Sequence, residues 1–155
     1  MTNETEFEAL ITRLRRAHAW LEKTVTRALQ AAGHDNIGQA QAFILYGMGN
    51  AERPLKPSEF WKHSVYLQTN YFHNVRKLVR LGYVAEKPYS GDARCVLYCL
   101  TKQGHQAYEA IRCTFAKHGD MLAKLGDATV ADLTAAETIL KRIETFWVEQ
   151  SLYPQ

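Results

Sequence analysis

The run LQTNYFHNVRKLVRLGYV, residues 67–84, changes within a few positions from a helical pattern to a strand pattern. Tyr71, Val75 and Leu78 have the spacing that places side chains on one face of an α-helix. Gly82 follows them, and glycine readily adopts the left-handed conformation that ends a helix. The sequence therefore predicts an amphipathic helix over residues 67–81 that leads directly into a strand.

Two short strands are predicted after this helix, at residues 84–87 and 94–100. Val96, Tyr98 and Leu100 alternate along the second strand and would share one of its faces. The segment between the strands, PYSGDA, is rich in residues that favour turns. The pattern predicts a β-hairpin.

Helical periodicity dominates the rest of the chain. A stripe of apolar residues predicts a helix over residues 7–29 that stops near Gly33, and Asn36 could cap a second helix that ends around Gly47 and Gly49. A short helix over residues 57–63 would form a helix-turn-helix with residues 67–81. Two more helices are predicted, one over residues 101–119 that Thr101 is well placed to cap, and one from about residue 130. The fold class is mainly α with one β-hairpin.

Positive charge is concentrated in the middle third of the chain. The 155 residues carry a net charge of +3, yet residues 53–105 hold nine basic side chains against three acidic ones. The segments on either side are together net acidic. This asymmetry indicates a centre that binds a polyanion, flanked by segments with another role.

The element order, the run at residues 67–84, the pair Asp92 and Arg94, and Leu100-Thr101-x-x-Gly104 together resemble the MarR family of winged-helix transcriptional regulators. The resemblance implies one domain over residues 1–155, with a winged helix-turn-helix lobe at 36–104. It also implies dimerisation helices at 1–34 and 119–155. The expected partners are double-stranded DNA, at a palindromic operator, and a second copy of the chain.

The helix at residues 67–81 is the expected reading helix for the major groove, which admits an α-helix and displays a distinct pattern for each base pair. Residues near its N-terminal half are the expected base readers, and the cations behind them are expected to meet phosphates. The set is Gln68, Thr69, Asn70, His73, Arg76, Lys77 and Arg80. The alternative is a solvated amphipathic helix without a ligand.

The hairpin carries an acidic and a basic residue two positions apart, Asp92 and Arg94. Because a carboxylate holds a guanidinium through charge-assisted hydrogen bonds, Asp92 is expected to orient Arg94. The resemblance implies that Arg94 enters the minor groove of DNA. The alternative is a surface salt bridge, generally worth less than about 1 kcal/mol.

Both chain ends carry more apolar surface than a small winged lobe needs to cover, and a partner chain would bury it. The expected dimer residues are Phe7, Leu10, Leu14, Ile139, Ile143, Phe146 and Trp147. A two-fold dimer would present two reading helices to a palindromic site. Alternatively, both stripes fold back within one monomer.

The resemblance also implies a small aromatic effector, bound between the dimerisation helices and the DNA-binding lobe. Side chains that combine apolar walls with polar tips could line its pocket: His18, Trp20, Phe43, Tyr46 and Tyr66. Each of them could instead be an ordinary core residue. The resemblance leaves repression and activation both open.

Other functional classes find little support in the sequence. The three cysteines are an odd number, and Cys95 and Cys99 would lie about 13 Å apart on one strand, too far for a disulfide. His105, Glu109 and Cys113 follow one helical face, but the outer two are about 12 Å apart, too far to share one ion. We therefore expect no metal or cofactor.

No nucleophile elbow, P-loop or dinucleotide fingerprint is present, so an enzyme is not expected. No stretch has the length and apolarity of a membrane span, and the N-terminus lacks the pattern of a signal peptide. Cytoplasmic residence is the expectation. A protein-interaction module, whose basic face meets an acidic protein instead of DNA, is the alternative function.

Overall fold

The computed structural model describes residues 3–60, 68–91 and 95–152. They form six helices and one hairpin, in an order that confirms the predicted fold class. The elements are α1 (Asn3–Ala31), α2 (Gln39–Asn50), α3 (Pro57–Phe60), α4 (Gln68–Arg80), β1 (Val84–Pro88), β2 (Val96–Leu100), α5 (Lys102–Leu125) and α6 (Val130–Leu152).

The chain divides into two units, Met1–Thr114 and Phe115–Gln155. In the first unit, α2 contacts α1, α4 and β2, while α4 also contacts β1. The apolar side chains buried there come from α1, α2, α4, α5, both strands and the segments beside them. They include Val25, Leu29, Ile44, Leu45, Leu55, Tyr71, Val75, Leu78, Tyr83, Val84, Tyr98, Ala107 and Ile111. The second unit contains the end of α5, a turn at Gly126, and α6, whose start is capped by Thr129.

The start of α2 differs from the prediction, since Gly38 is its N-cap and Asn36 is not. The backbone N–H of Gly38 donates to Oε1 of Gln41, 2.6 Å away. Asn36 instead accepts a hydrogen bond from the hydroxyl of Tyr83, 2.7 Å away. The predicted cap is wrong because this side chain already has a long-range partner.

Two helices run past the glycines that were expected to end them. Helix α2 continues through Gly47 and Gly49 to Asn50, and α5 continues through Gly119 to Leu125. Gly49 faces the ring of Tyr108, and a Cβ at this position would overlap with the ring. This glycine therefore permits close packing between two helices rather than ending one of them.

The hairpin pairs β1 with β2 in antiparallel register, from Val84 opposite Leu100 to Pro88 opposite Val96. The second strand begins at Val96, later than predicted, while Tyr89 still donates its N–H to the carbonyl of Cys95 over 3.0 Å. Leu55 and Tyr98 exchange two backbone hydrogen bonds of 2.9 Å. The segment before α3 therefore extends the hairpin along the edge of β2.

The helix after the hairpin starts as predicted. The hydroxyl of Thr101 accepts the N–H of Gly104 over 3.1 Å and donates to the carbonyl of Gly82 over 2.6 Å. The side chain of Thr101 therefore caps α5 and also bonds to the turn that ends α4. Among the helices that the structure describes, none combines the length and apolarity needed to cross a bilayer.

Candidate nucleic-acid interface

Helix α4 presents opposite faces to the core and to solvent. Tyr71, Val75 and Leu78 are buried, as their spacing predicted. Burial raises the pKa of the Tyr71 hydroxyl, which remains protonated at neutral pH. His73 and Arg76 lie on the exposed side, as the same helical period requires.

The exposed side of α4 is cationic. Lys77 and Arg80 lie in its last turn, where the helix dipole favours positive charge. None of Arg76, Lys77 and Arg80 forms an ion pair with another residue that the structure describes. An open depression on this side is lined by His73, Arg76, Val79 and Arg80. We name this surface, His73, Arg76, Lys77 and Arg80, the cationic face.

Helix α4 lies beside the hairpin, since it contacts β1. Partial burial, then the carboxylate of Glu86 across the hairpin, raise the pKa of Tyr98, whereas the guanidinium of Arg76 lowers it. An effect of Arg76 on Tyr98 requires that the two side chains lie near each other. Arg76 therefore lies within electrostatic range of the hairpin.

Two other cations of the middle third, Arg53 and Lys56, already contact other residues of the chain. Nη2 of Arg53 lies 2.7 Å from Oε1 of Glu59, and the backbone N–H of Lys56 donates to the same carboxylate. These contacts lower the pKa of Glu59 to about 2 from its ordinary 4.5, and the hydrogen bond from Arg53 has the larger effect. The ammonium of Lys56 lies 4.2 Å from the ring centre of Tyr89, close enough for a cation–π contact.

Several predicted site residues fall outside what the structure describes. Tyr66, Asp92 and Arg94 belong to the undescribed segments, and only the backbone is described for the expected base readers Gln68, Thr69 and Asn70. Their backbone forms the first turn of α4. The roles assigned to these six residues stay predictions.

Most of the expected dimer residues are exposed in the single chain. In the first unit, Phe7 and Leu10 are exposed and Leu14 is half-buried. In the second unit, Ile143 is half-buried, and the exposed members of the set are Ile139, Phe146 and Trp147. Apolar surface of this kind is typical of an interface.

The expected effector residues lie in different surroundings. On α1, His18 is exposed beside Glu22, and Trp20 is 58% exposed with the ammonium of Lys23 over its ring. On α2, Phe43 is half-buried, and the ring of Tyr46 lies 5.8 Å from that of Tyr108 on α5. The effector pocket stays a prediction.

The three cysteines and the candidate metal ligands lie in or beside β2 and in α5. Cys95 and Cys99 are half-buried, Cys113 is exposed, and none of the three forms a disulfide. Arg112 lies 2.8 Å from the carboxylate of Glu109. Within the described ranges, no three side chains are grouped so that they could hold a metal ion.

Sequence reasoning missed the polar side chains that hold α4 in place. Gln41 of α2 donates a hydrogen bond to Asn74 of α4, and His34 contacts the hydroxyl of Tyr83. A glutamine within the apolar segment QAFILYGMG was the available signal. Its partner lies 33 residues away and could not be identified from spacing.

The helices, the hairpin and the cationic face together define a winged helix-turn-helix protein. The fold matches solved MarR-type regulators over nearly the whole chain. FabT of Streptococcus pneumoniae, in complex with DNA, has a TM-score of 0.71 and 19% identity, covering 96% of this chain and 99% of that chain. A mutant MarR of E. coli with operator DNA has a TM-score of 0.68 and 19% identity, covering 92% and 99%.

A MarR-like regulator of Bacillus cereus ATCC 10987 has a TM-score of 0.63 and 17% identity, covering 92% of this chain and 98% of that chain. The resemblance to the MarR family, drawn from residues 67–84 and 92–104, is therefore confirmed at the level of the fold. No protein-family model matches the chain.

A curated relative also matches, the exopolysaccharide II synthesis transcriptional activator ExpG of Rhizobium meliloti (strain 1021). It is 27% identical over 125 residues, which are 81% of this chain. The match spans 63% of the relative's own length.

Proposed function

We propose that the chain is a sequence-specific regulator of transcription that binds double-stranded DNA as a homodimer at a palindromic operator. The observation that carries the proposal is the cationic face. Its Arg76, Lys77 and Arg80 form no ion pair with any residue that the structure describes. Cations of this kind can displace the counterions of phosphates, which supplies much of the affinity of DNA-binding proteins.

The surroundings of the cationic face support the same function. The side chains that anchor α4 leave its other side exposed, as a helix in the major groove requires. Similar structures include one solved with operator DNA, and the curated relative is named a transcriptional activator. In the proposed complex, Gln68, Thr69, Asn70 and His73 read bases, and Arg94, held by Asp92, enters the minor groove.

Dimerisation and an effector complete the proposal. The exposed apolar side chains of α1 and α6 would be buried against a second copy, which sets the spacing between two reading helices. A small aromatic ligand, bound near Trp20, Phe43 and Tyr46, would regulate by favouring a dimer in which that spacing is wrong.

Equilibrium binding with competitors separates DNA reading from the alternative, a protein-interaction module. If the chain reads DNA, the logarithm of its affinity falls with the logarithm of salt concentration, with a slope of roughly 0.9 per phosphate contacted. A selected site then competes far better than unrelated duplex of equal length. Equal competition by both duplexes would favour the interaction module.

A further inference from the structure

Two buried polar side chains lie between the end of α1 and the first turn of α2. His34 is 7% exposed and Gln41 is 6% exposed, and both belong to the α1–α2 junction, which we define as residues 34–41. Burying a polar side chain is unfavourable unless its hydrogen bonds are formed. Their hydrogen-bond partners therefore indicate what the junction does.

The side-chain amide of Gln41 makes one hydrogen bond through its oxygen and one through its nitrogen. Its Oε1 accepts the N–H of Gly38 over 2.6 Å, which closes the start of α2. Its Nε2 donates to Oδ1 of Asn74, at the middle of α4 between His73 and Val75. One amide thus caps α2 and holds the reading helix.

A second group of hydrogen bonds, made by Tyr83, holds the end of the reading helix. The backbone N–H of Tyr83 donates to the carbonyl of Leu78 over 3.0 Å, so this residue closes the last turn of α4. Its hydroxyl donates to Oδ1 of Asn36 over 2.7 Å and lies 3.1 Å from Nδ1 of His34. Because the hydroxyl has one hydrogen, already given to Asn36, Nδ1 of His34 is the donor in the second bond.

Hydrogen bonds have a preferred direction, whereas the hydrophobic effect that buries the other face of α4 is non-directional. We propose that the α1–α2 junction positions the reading helix, by holding its middle through Gln41 and its end through His34, Asn36 and Tyr83. This inference rests on the DNA-binding function proposed above. Because α1 also carries proposed dimer residues, the junction connects dimer geometry to the orientation of α4.

Two variants remove these contacts with little change in volume. Gln41→Met removes both bonds of the amide, and Tyr83→Phe removes only the hydroxyl. Tyr108→Phe is the matched control, because that hydroxyl bonds to Asn50 over 3.0 Å and joins α5 to α2 without involving α4. The measured quantity is the affinity for a selected DNA site divided by the affinity for single-base variants of that site.

We expect this ratio to fall about five- to tenfold in Gln41→Met and in Tyr83→Phe, since two hydrogen bonds are lost in each. Dimer mass and affinity for unrelated DNA at low salt should match those of the control. An unchanged ratio in both variants, or an equal fall in Tyr108→Phe, would overturn the proposal.

Hydrogen exchange of the DNA-free protein tests the same idea without DNA. Amide exchange over residues 71–80 should become about tenfold faster in the two variants, and unchanged in the control. Exchange that stays at the wild-type rate in both variants would overturn the positioning role. If the wild-type protein selects no DNA site, the proposed function fails, and this exchange measurement alone decides the role of the junction.

Discussion

Gly104 lies against the backbone carbonyl of Tyr83, so closely that a Cβ at this position would overlap with the carbonyl oxygen. The same carbonyl accepts the N–H of Thr101 over 3.0 Å. The first turn of α5 is therefore packed on the residue that closes α4. This contact gives a physical reason for the Leu-Thr-x-x-Gly pattern after the hairpin.

Gly104→Ala should destabilise the protein by about 2 kcal/mol, because the backbone of Tyr83 has no room to move without shifting the hairpin. Gly119→Ala in the same helix is the control, since nothing lies within 4 Å of its would-be Cβ. Alanine there should stabilise the helix by about 0.5–1 kcal/mol. Urea unfolding measures both, and equal effects in the two variants would contradict the close approach.

Arg76→Ala should weaken binding to every duplex and reduce the salt slope by roughly 1, if this guanidinium meets a phosphate. Lys117→Ala removes an exposed cation of α5 and serves as the control for net charge. Fluorescence anisotropy over a series of salt concentrations gives both slopes. A slope that changes equally in the two variants would mean that only the total charge matters.

The ion pair between Arg53 and Glu59 should give stability that depends on pH. Because folding lowers the pKa of Glu59 to about 2, the stabilisation is complete above its ordinary 4.5 and is lost as the pH falls towards 2. Glu59→Gln should therefore melt below the wild type at neutral pH, with a difference that disappears in acid. Melting followed by circular dichroism tests this.

Arg53→Gln is the partner control for that series, because Arg53 is the largest cause of the lowered pKa of Glu59. It should show the same pH dependence with a smaller amplitude, since the bond from Lys56 remains. A destabilisation that stays constant across the acid range would show that the substitution acts through packing alone.

Replacing Phe146 and Trp147 of α6 with glutamine should lower the dimer mass in solution, because both side chains are large, apolar and exposed in the single chain. Glu149→Gln, three positions from Phe146, is the control for a polar change on the same helix. Sedimentation velocity at several concentrations measures the dissociation. A dimer that persists unaltered in the double variant would place the interface elsewhere.

The sequence predicted the elements that depend on a repeated pattern. The period of Tyr71, Val75 and Leu78 identified the buried face of α4, and the hydroxyl of Thr101 was correctly expected to cap α5. Such features are local, since a helix face or a cap is set by residues within a few positions.

Contacts over long distances explain what the sequence did not predict. Asn36 has the chemistry of a cap but bonds to Tyr83, 47 residues away. Glycine is common at the ends of helices, yet Gly49 lies inside α2 and accommodates the ring of Tyr108. The link between Gln41 and Asn74 in the candidate site is of the same kind, because tertiary partners decide it and spacing does not.

Selection of binding sites from random duplex DNA shows whether the chain reads DNA as a two-fold dimer. If it does, a palindromic consensus is enriched, and the wild-type dimer binds it with an affinity that falls as salt rises. Arg76→Ala should bind that consensus more weakly. A selection that enriches no sequence, although the protein is folded and dimeric, would contradict the account.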